Sequence, residues 1–162
     1  MVVTRCLIGV AVTALTPLLA SAQEHHASMD QRGATVMGFD QALTTHQFVL
    51  FTDGGAIDVS VKSASDTKNR DAIRSHLPHI AMMFGDGNFD SPMLVHNSTN
   101  VPGTRTMADR KATIRFQYVE TPGGGRVNIV TTDPEALAAV HEFLRFQIAD
   151  HRTGDSTTVR KR

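Results

Sequence analysis

The chain has 162 residues, with 16 basic and 16 acidic side chains, 8 histidines, 7 methionines and a single cysteine. This balanced charge lacks the positive excess of proteins that bind nucleic acids, so we predict no nucleic-acid partner. The cysteine, Cys6, lies in an apolar N-terminal segment. The rest of the chain therefore cannot form disulfides, supply thiolate ligands or use a cysteine nucleophile.

Residues 1–22 have the pattern of a secretory signal peptide. Arg5 precedes an apolar run of roughly 15 residues, which ends at the small-residue triplet Ala20-Ser21-Ala22. The run is shorter than the ~20 residues of a membrane-spanning helix. We therefore predict cleavage after Ala22, a periplasmic or secreted location, and no membrane attachment after cleavage. Residues 23–43 are polar without a sustained period, which predicts a flexible N-terminal arm.

The next segment predicts a β-hairpin. Apolar residues alternate with polar ones on both sides of the turn sequence Asp53-Gly54-Gly55. A two-residue loop at Gly54-Gly55 would place Leu50 opposite Val59. Because side chains repeat every second residue along a strand, His46 would then share the inner face with Leu50.

A helix is predicted after this hairpin, with Asp66 as its N-cap and Gly85 and Gly87 at its end. Pro78 lies inside the helical pattern and either kinks the helix or marks a restart. The apolar stripe of the helix is formed by Ile73, Leu77, Ile80 and Phe84.

The second half of the chain repeats this plan. The stretch "ATIRFQYVETPGGGRVNIV" predicts another hairpin, and Asp133 followed by Pro134 predicts another helix start. Two hairpin–helix units predict an α+β fold, with a four-stranded antiparallel sheet and two helices on one face. This single domain spans residues 44–155, and a polar tail follows at 156–162. One offset aligns Asp66 with Asp133, Leu77 with Leu144, and Gly87 with Gly154.

Histidine and methionine are concentrated in "SHLPHIAMMFGDGNFDSPMLVH", residues 75–96. Helix neighbours three and four residues apart lie ~5–6 Å apart, so two imidazoles and a thioether on one flank can meet one ion. Imidazole with thioether suits copper, particularly Cu(I). The alternative is that these side chains fill and flank an apolar core. The predicted ligands are His76, His79, Met83, His46, Met93 and His96.

The second helix carries Phe143 and Phe146 at the positions equivalent to His76 and His79. With two alanines they form a second apolar stripe, which either the other helix or a second subunit must cover. We favour a homodimer through this helix. The aromatic face also suits haem or a small apolar ligand, and any haem would be non-covalent because the chain has no C-x-x-C-H motif.

The sequence favours a binding role over an enzyme. No serine stands in a G-x-S-x-G elbow, and no carboxylate accompanies the histidines as in H-E-x-x-H. The leading prediction is therefore an exported protein that binds or transfers copper. The alternatives are a dimeric module for haem or a small apolar ligand, and a structural exported domain.

Several stretches resemble a family of small exported bacterial proteins. The resemblance covers most of the chain after the predicted signal peptide and implies no established activity. Members are sometimes labelled aspartate carbamoyltransferase. Proteins that resemble that enzyme family have a much longer chain with two α/β domains and an S-T-R-T phosphate loop at the start of a helix. Here the similar letters "NSTNVPGTRT" lie in a polar linker. We therefore do not predict that activity. The matching stretches are "MGFDQ" (Met37–Gln41), "TTHQF" (Thr44–Phe48), "HLPHIAMMF" (His76–Phe84), "SPMLVH" and "FLRFQIADHRTGD" (Phe143–Asp155).

Overall fold

The computed structural model describes residues 28–162, so the predicted signal peptide lies outside the described residues. Among the described residues, no helix has the length and apolar character needed to cross a membrane. The elements in chain order are α1 (residues 28–37), β1 (Thr44–Phe51), β2 (Gly54–Val61), α2 (Thr67–Gly85), α3 (Asp90–His96), α4 (Thr104–Asp109), a short 3-10 turn (Lys111–Thr113), β3 (Ile114–Thr121), β4 (Gly124–Thr131) and α5 (Pro134–Asp150).

The four strands form one antiparallel sheet in the order β1-β2-β4-β3, which confirms the predicted α+β fold. The register of the first hairpin differs from the prediction, because Leu50 pairs with Gly55 and His46 pairs with Val59. Gly54 is already part of β2, where a Cβ would collide with the backbone oxygen of Ile129. The two glycines thus allow close strand approach and do not form the turn. The shift is an even number of residues, so His46 keeps its predicted inner face.

The helices begin where the sequence predicts. Asp66 accepts a hydrogen bond from the backbone N–H of Asn69, and Asp133 caps α5 in the same way. Helix α2 continues through Pro78 as a single helix, which settles the question that the sequence leaves open. His76 and His79 therefore lie on one helix.

Each long helix packs on the hairpin of the other unit. Helix α2 lies over β3 and β4, and α5 lies over β1 and β2, on the same face of the sheet. Leu144 of α5 lies against Gly55 of β2, where an added Cβ would collide with Leu144 Cδ1. Leu77 of α2 lies against Gly125 of β4 in the equivalent position. This exchange makes one continuous core from both units.

The second apolar stripe of α5 is covered within the chain. Ala139 and Phe143 are buried, and Gly103, with a φ of 80°, brings the segment before α4 against the backbone of Ala139. The Phe143 ring also contacts Phe84 and Phe89. The stripe therefore does not require a second subunit, and the homodimer stays a prediction.

Two segments outside the predicted domain are attached to it. The polar sequence of α1 does not predict a helix, yet Met29 within it and Phe39 just after it are buried. In the C-terminal tail, Arg160 bonds the backbone of Leu50 and Thr52 at the edge of β1. Arg162 places its guanidinium 4.5 Å from the ring centre of Phe51. Both ends of the described chain therefore pack on the first hairpin unit or beside it.

Candidate functional site

A pocket lies between the inner face of β1 and β2, helices α2 and α3, and the end of α5. We call it the inner pocket; its volume is about 80 Å³. Apolar side chains form most of its wall. The residues in the wall that can form hydrogen bonds or bind a metal ion are Met37, His46, His76, Ser91, His96, Gln147 and His151.

The positions of the internal repeat that are equivalent to His46 and His151 are both occupied by phenylalanine, one in each unit. The alignment of β1 with β3 places His46 where Phe116 stands, and the alignment of α2 with α5 places His151 where Phe84 stands. The ring centres of His46 and His151 are 5.6 Å apart, and those of Phe84 and Phe116 are 5.7 Å apart. Because the fold accepts two phenylalanines at this place, packing alone does not require the histidines.

His46 is held as a neutral imidazole. Its ring lies between aromatic neighbours, with Phe39 at 5.9 Å and Phe48 at 6.3 Å between ring centres. Burial, followed by the nearby His76, lowers the pKa of His46 to about 4. Its Nε2 atom is buried without a hydrogen-bond partner, an arrangement that costs about 1–3 kcal/mol of stability.

His76 is the second neutral imidazole at the inner pocket. Its ring lies edge-on to Phe39 at 5.9 Å, and burial, followed by the nearby His79, lowers its pKa to about 4. His76 and His46 are therefore both unprotonated at neutral pH, with ring nitrogens able to accept a metal or a hydrogen bond.

Of the other predicted ligands, one lies at the inner pocket and three lie outside it. His96 reaches the inner pocket, but His79 is exposed and Met83 and Met93 do not contribute to the pocket wall. Met83 Sδ is 4.0 Å from Ser91 Oγ, and Met93 lines a separate surface depression with Thr104. In the part of the chain that the structure describes, no three His, Cys, Asp or Glu side chains are placed to hold a metal ion. The copper prediction stays a prediction, with His46, His76 and His96 as its members at the pocket.

His96 is fixed by hydrogen bonds at both ring nitrogens. It is the last residue of α3, which ends at Asn97 with a left-handed φ of 48°. Its Nδ1 lies 2.5 Å from Asp150 Oδ2, and its Nε2 lies 3.1 Å from Gln147 Oε1. His96 therefore positions its neighbours on α5 and has no ring nitrogen left for a metal ion.

The predicted aromatic groove is part of the core. Phe143 lines the inner pocket and is buried, and Phe146 packs against His96 with ring centres 4.9 Å apart. Small-molecule sites for drug-sized ligands usually enclose ~300–1,000 Å³, and the inner pocket encloses about 80 Å³. This volume does not support the haem alternative, which stays an untested prediction.

Sequence reasoning missed Met37, Gln147 and His151. The repeat contains a clue to His151, because the offset that aligns Leu77 with Leu144 also aligns the apolar Phe84 with His151. No pattern indicates Met37, since α1 is not predicted.

The chain was compared with known proteins by sequence and by structure. No protein-family model, curated protein or solved structure matches it. The family resemblance described above stays an expectation.

Proposed function

We propose that the protein binds copper(I) at the inner pocket, with His46 and His151 as the principal ligands. The observation that carries this proposal is that the repeat contains two equivalent places, each built from a strand of one unit and the helix end of the other, of which one holds a phenylalanine pair and the other a histidine pair. A metal binds imidazole only in its unprotonated form. The lowered pKa of His46 means that this ligand needs no deprotonation at neutral pH.

The surroundings of the pair favour a soft, singly charged ion. The pocket wall is mainly apolar, and Met37 supplies a thioether beside the imidazoles. Hard cations prefer oxygen ligands, whereas imidazole and thioether suit Cu(I). Imidazoles that share an ion bind it at about 2 Å, which places their ring centres roughly 5–6 Å apart. The ring centres of His46 and His151 are 5.6 Å apart and the rings are nearly parallel, so the distance fits a shared ion once the rings turn their nitrogens toward it. His76 lies in the same pocket wall and is the third imidazole that we assign to the site.

The histidine pair also has access to the surface. His46 and His151 line a second, polar depression, whose other walls include Asp30, Thr44 and Lys62. The two imidazoles therefore stand between the apolar inner pocket and solvent. An ion can reach them without opening the core, which suits reversible binding or transfer outside the cytoplasm.

The test is a competition titration of the protein with Cu(I) and a chromophoric chelator. Wild type should bind Cu(I) stoichiometrically, and a His46→Phe/His151→Phe double variant should lose this binding while it keeps its fold, because Phe116 and Phe84 already form such a pair. His79→Ala, at an exposed position outside the pocket, is the matched control and should bind as wild type does. Equal affinity of wild type and the double variant would reject the proposal.

A further inference from the structure

The amide group of Gln147 is buried, and only one of its two polar ends has a hydrogen-bond partner. Gln147 lies on α5 and is 5% exposed. Its Oε1 lies 3.1 Å from His96 Nε2, while its Nε2 is buried without a hydrogen-bond partner. The residue is part of the wall of the inner pocket. An unsatisfied buried donor is costly, and buried polar groups are paired in the great majority of cases.

The contacts around Gln147 leave the nitrogen end of its amide free. His96 lies between two residues of α5, with its Nδ1 2.5 Å from Asp150 Oδ2 and its Nε2 3.1 Å from Gln147 Oε1. Because Gln147 Oε1 faces His96, the NH₂ group of Gln147 is the end that is left as a donor.

We infer that Gln147 Nε2 donates a hydrogen bond to the oxygen of a small uncharged carbonyl compound bound in the inner pocket. His96 and Asp150 act as positioning residues, because they fix the amide through its other end. Binding of this compound is separate from copper binding and requires no metal ion.

The size and charge of the pocket define the ligand class. An engineered cavity of about 150 Å³ holds benzene, so a pocket of about 80 Å³ takes a molecule of only a few non-hydrogen atoms. Among the described residues that line the inner pocket there is no lysine or arginine to neutralise an anion. Apolar contacts with side chains such as Ile57, Val59 and Leu77 would hold the carbon skeleton.

The experiment uses ¹⁵N-labelled protein, kept free of metal by chelators, and two probes of equal shape. One probe is 2-butanone, and the other is 2-methyl-1-butene, in which a methylene group replaces the oxygen. Binding is followed through the side-chain amide signal of Gln147. We expect 2-butanone to shift this signal saturably and to bind at least tenfold more tightly than the alkene.

The variant Gln147→Met removes the amide but keeps the length of the side chain, and it should abolish the preference for the ketone. Gln117→Met, at an exposed position on β3, is the control and should preserve it. The comparison of probes on wild type is decisive even if Gln147→Met does not fold. Equal affinity for both probes, binding of neither, or ketone binding without movement of the Gln147 signal would overturn the inference. Because the protein is metal-free here, failure of copper binding does not affect the result.

Discussion

His96 Nδ1 lies 2.5 Å from Asp150 Oδ2, and this contact fastens the short helix α3 to the last turn of α5. A hydrogen bond that involves a charged group contributes about 1.5–3 kcal/mol. We expect Asp150→Ala to lower the free energy of unfolding by about this amount, measured by urea denaturation. Asp109→Asn, at an exposed position, is the control and should change the stability by less than about 0.5 kcal/mol. If Asp150→Ala left the free energy of unfolding unchanged, the contact with His96 would contribute nothing to the stability of the fold.

The unpaired nitrogen of His46 predicts that its replacement stabilises the protein. His46→Phe removes a buried polar atom that has no partner and reproduces the residue at the equivalent position, Phe116. We expect the free energy of unfolding at neutral pH to rise by about 1 kcal/mol, measured by chemical denaturation. A loss of stability larger than about 2 kcal/mol would show that the fold needs the imidazole.

The lowered pKa values of His46 and His76 predict a stability that falls in mild acid. Both values drop from 6.5 to about 4 in the folded protein. Between these values the unfolded chain binds protons that the folded protein does not, so the free energy of unfolding decreases as the pH falls. Each pKa unit is worth about 1.4 kcal/mol. Above about pH 7 these two residues should contribute no pH dependence.

This dependence can be measured by urea unfolding at several pH values from 8 to about 4.5, with histidine titrations followed by NMR. The variant His46→Phe should show a shallower decrease, because one of the two titrating groups is gone. Asp66 and Asp133 also have lowered pKa values, from side-chain and backbone hydrogen bonds respectively. Their contribution is lost only below the ordinary pKa of aspartate, 3.8, and so lies outside this range. An unchanged slope in His46→Phe would contradict the assignment to His46.

The close contact between Leu144 and Gly55 predicts a severe effect of a single methyl group. A Cβ at Gly55 would collide with Leu144 Cδ1 and lie 2.6 Å from the backbone oxygen of Val49. Overpacking of this kind usually costs about 1–3 kcal/mol, and we expect Gly55→Ala to lie at the upper end because one neighbour is backbone. The measurement is the midpoint of thermal unfolding.

Gly85→Ala is the matched control for this substitution. Gly85 is the last residue of α2, and a Cβ there meets nothing within 4 Å. Since alanine favours the helix over glycine by about 1 kcal/mol, this variant should be as stable as wild type or more stable. If both alanine variants behaved alike, the close packing at Gly55 would not limit stability.

Local patterns predict most of the fold because local chemistry decides it. Alternation defines the strands, Asp66 and Asp133 cap the two long helices, and a constant offset reveals the repeat. The hairpin register is not predicted, because the role of Gly54 depends on the backbone of β4, which approaches from far along the chain.

The site is less predictable for a similar reason. The strand period places His46 on the inner face, and helical spacing places His76 on α2. The residue that completes the pair, His151, reaches them only because α5 crosses onto the first hairpin. Histidine is a common metal ligand, so the sequence suggests that role for His96. Its partner Asp150 is 54 residues away in the chain, so the positioning role of His96 cannot be predicted from local sequence.

The exchange of helices between the two units has a consequence for how the site can arise. One hairpin–helix unit cannot cover its own strands, so an isolated copy would need a twin, and the twins would form the same sheet about a twofold axis. In such a symmetric dimer, every substitution would appear at both of the equivalent places. Joining the copies in one chain separates the two places, so that one retains Phe84 with Phe116 while the other carries His151 with His46. The place that holds Phe84 and Phe116 thus serves as an internal reference for what the place that holds His151 and His46 would be without its histidines.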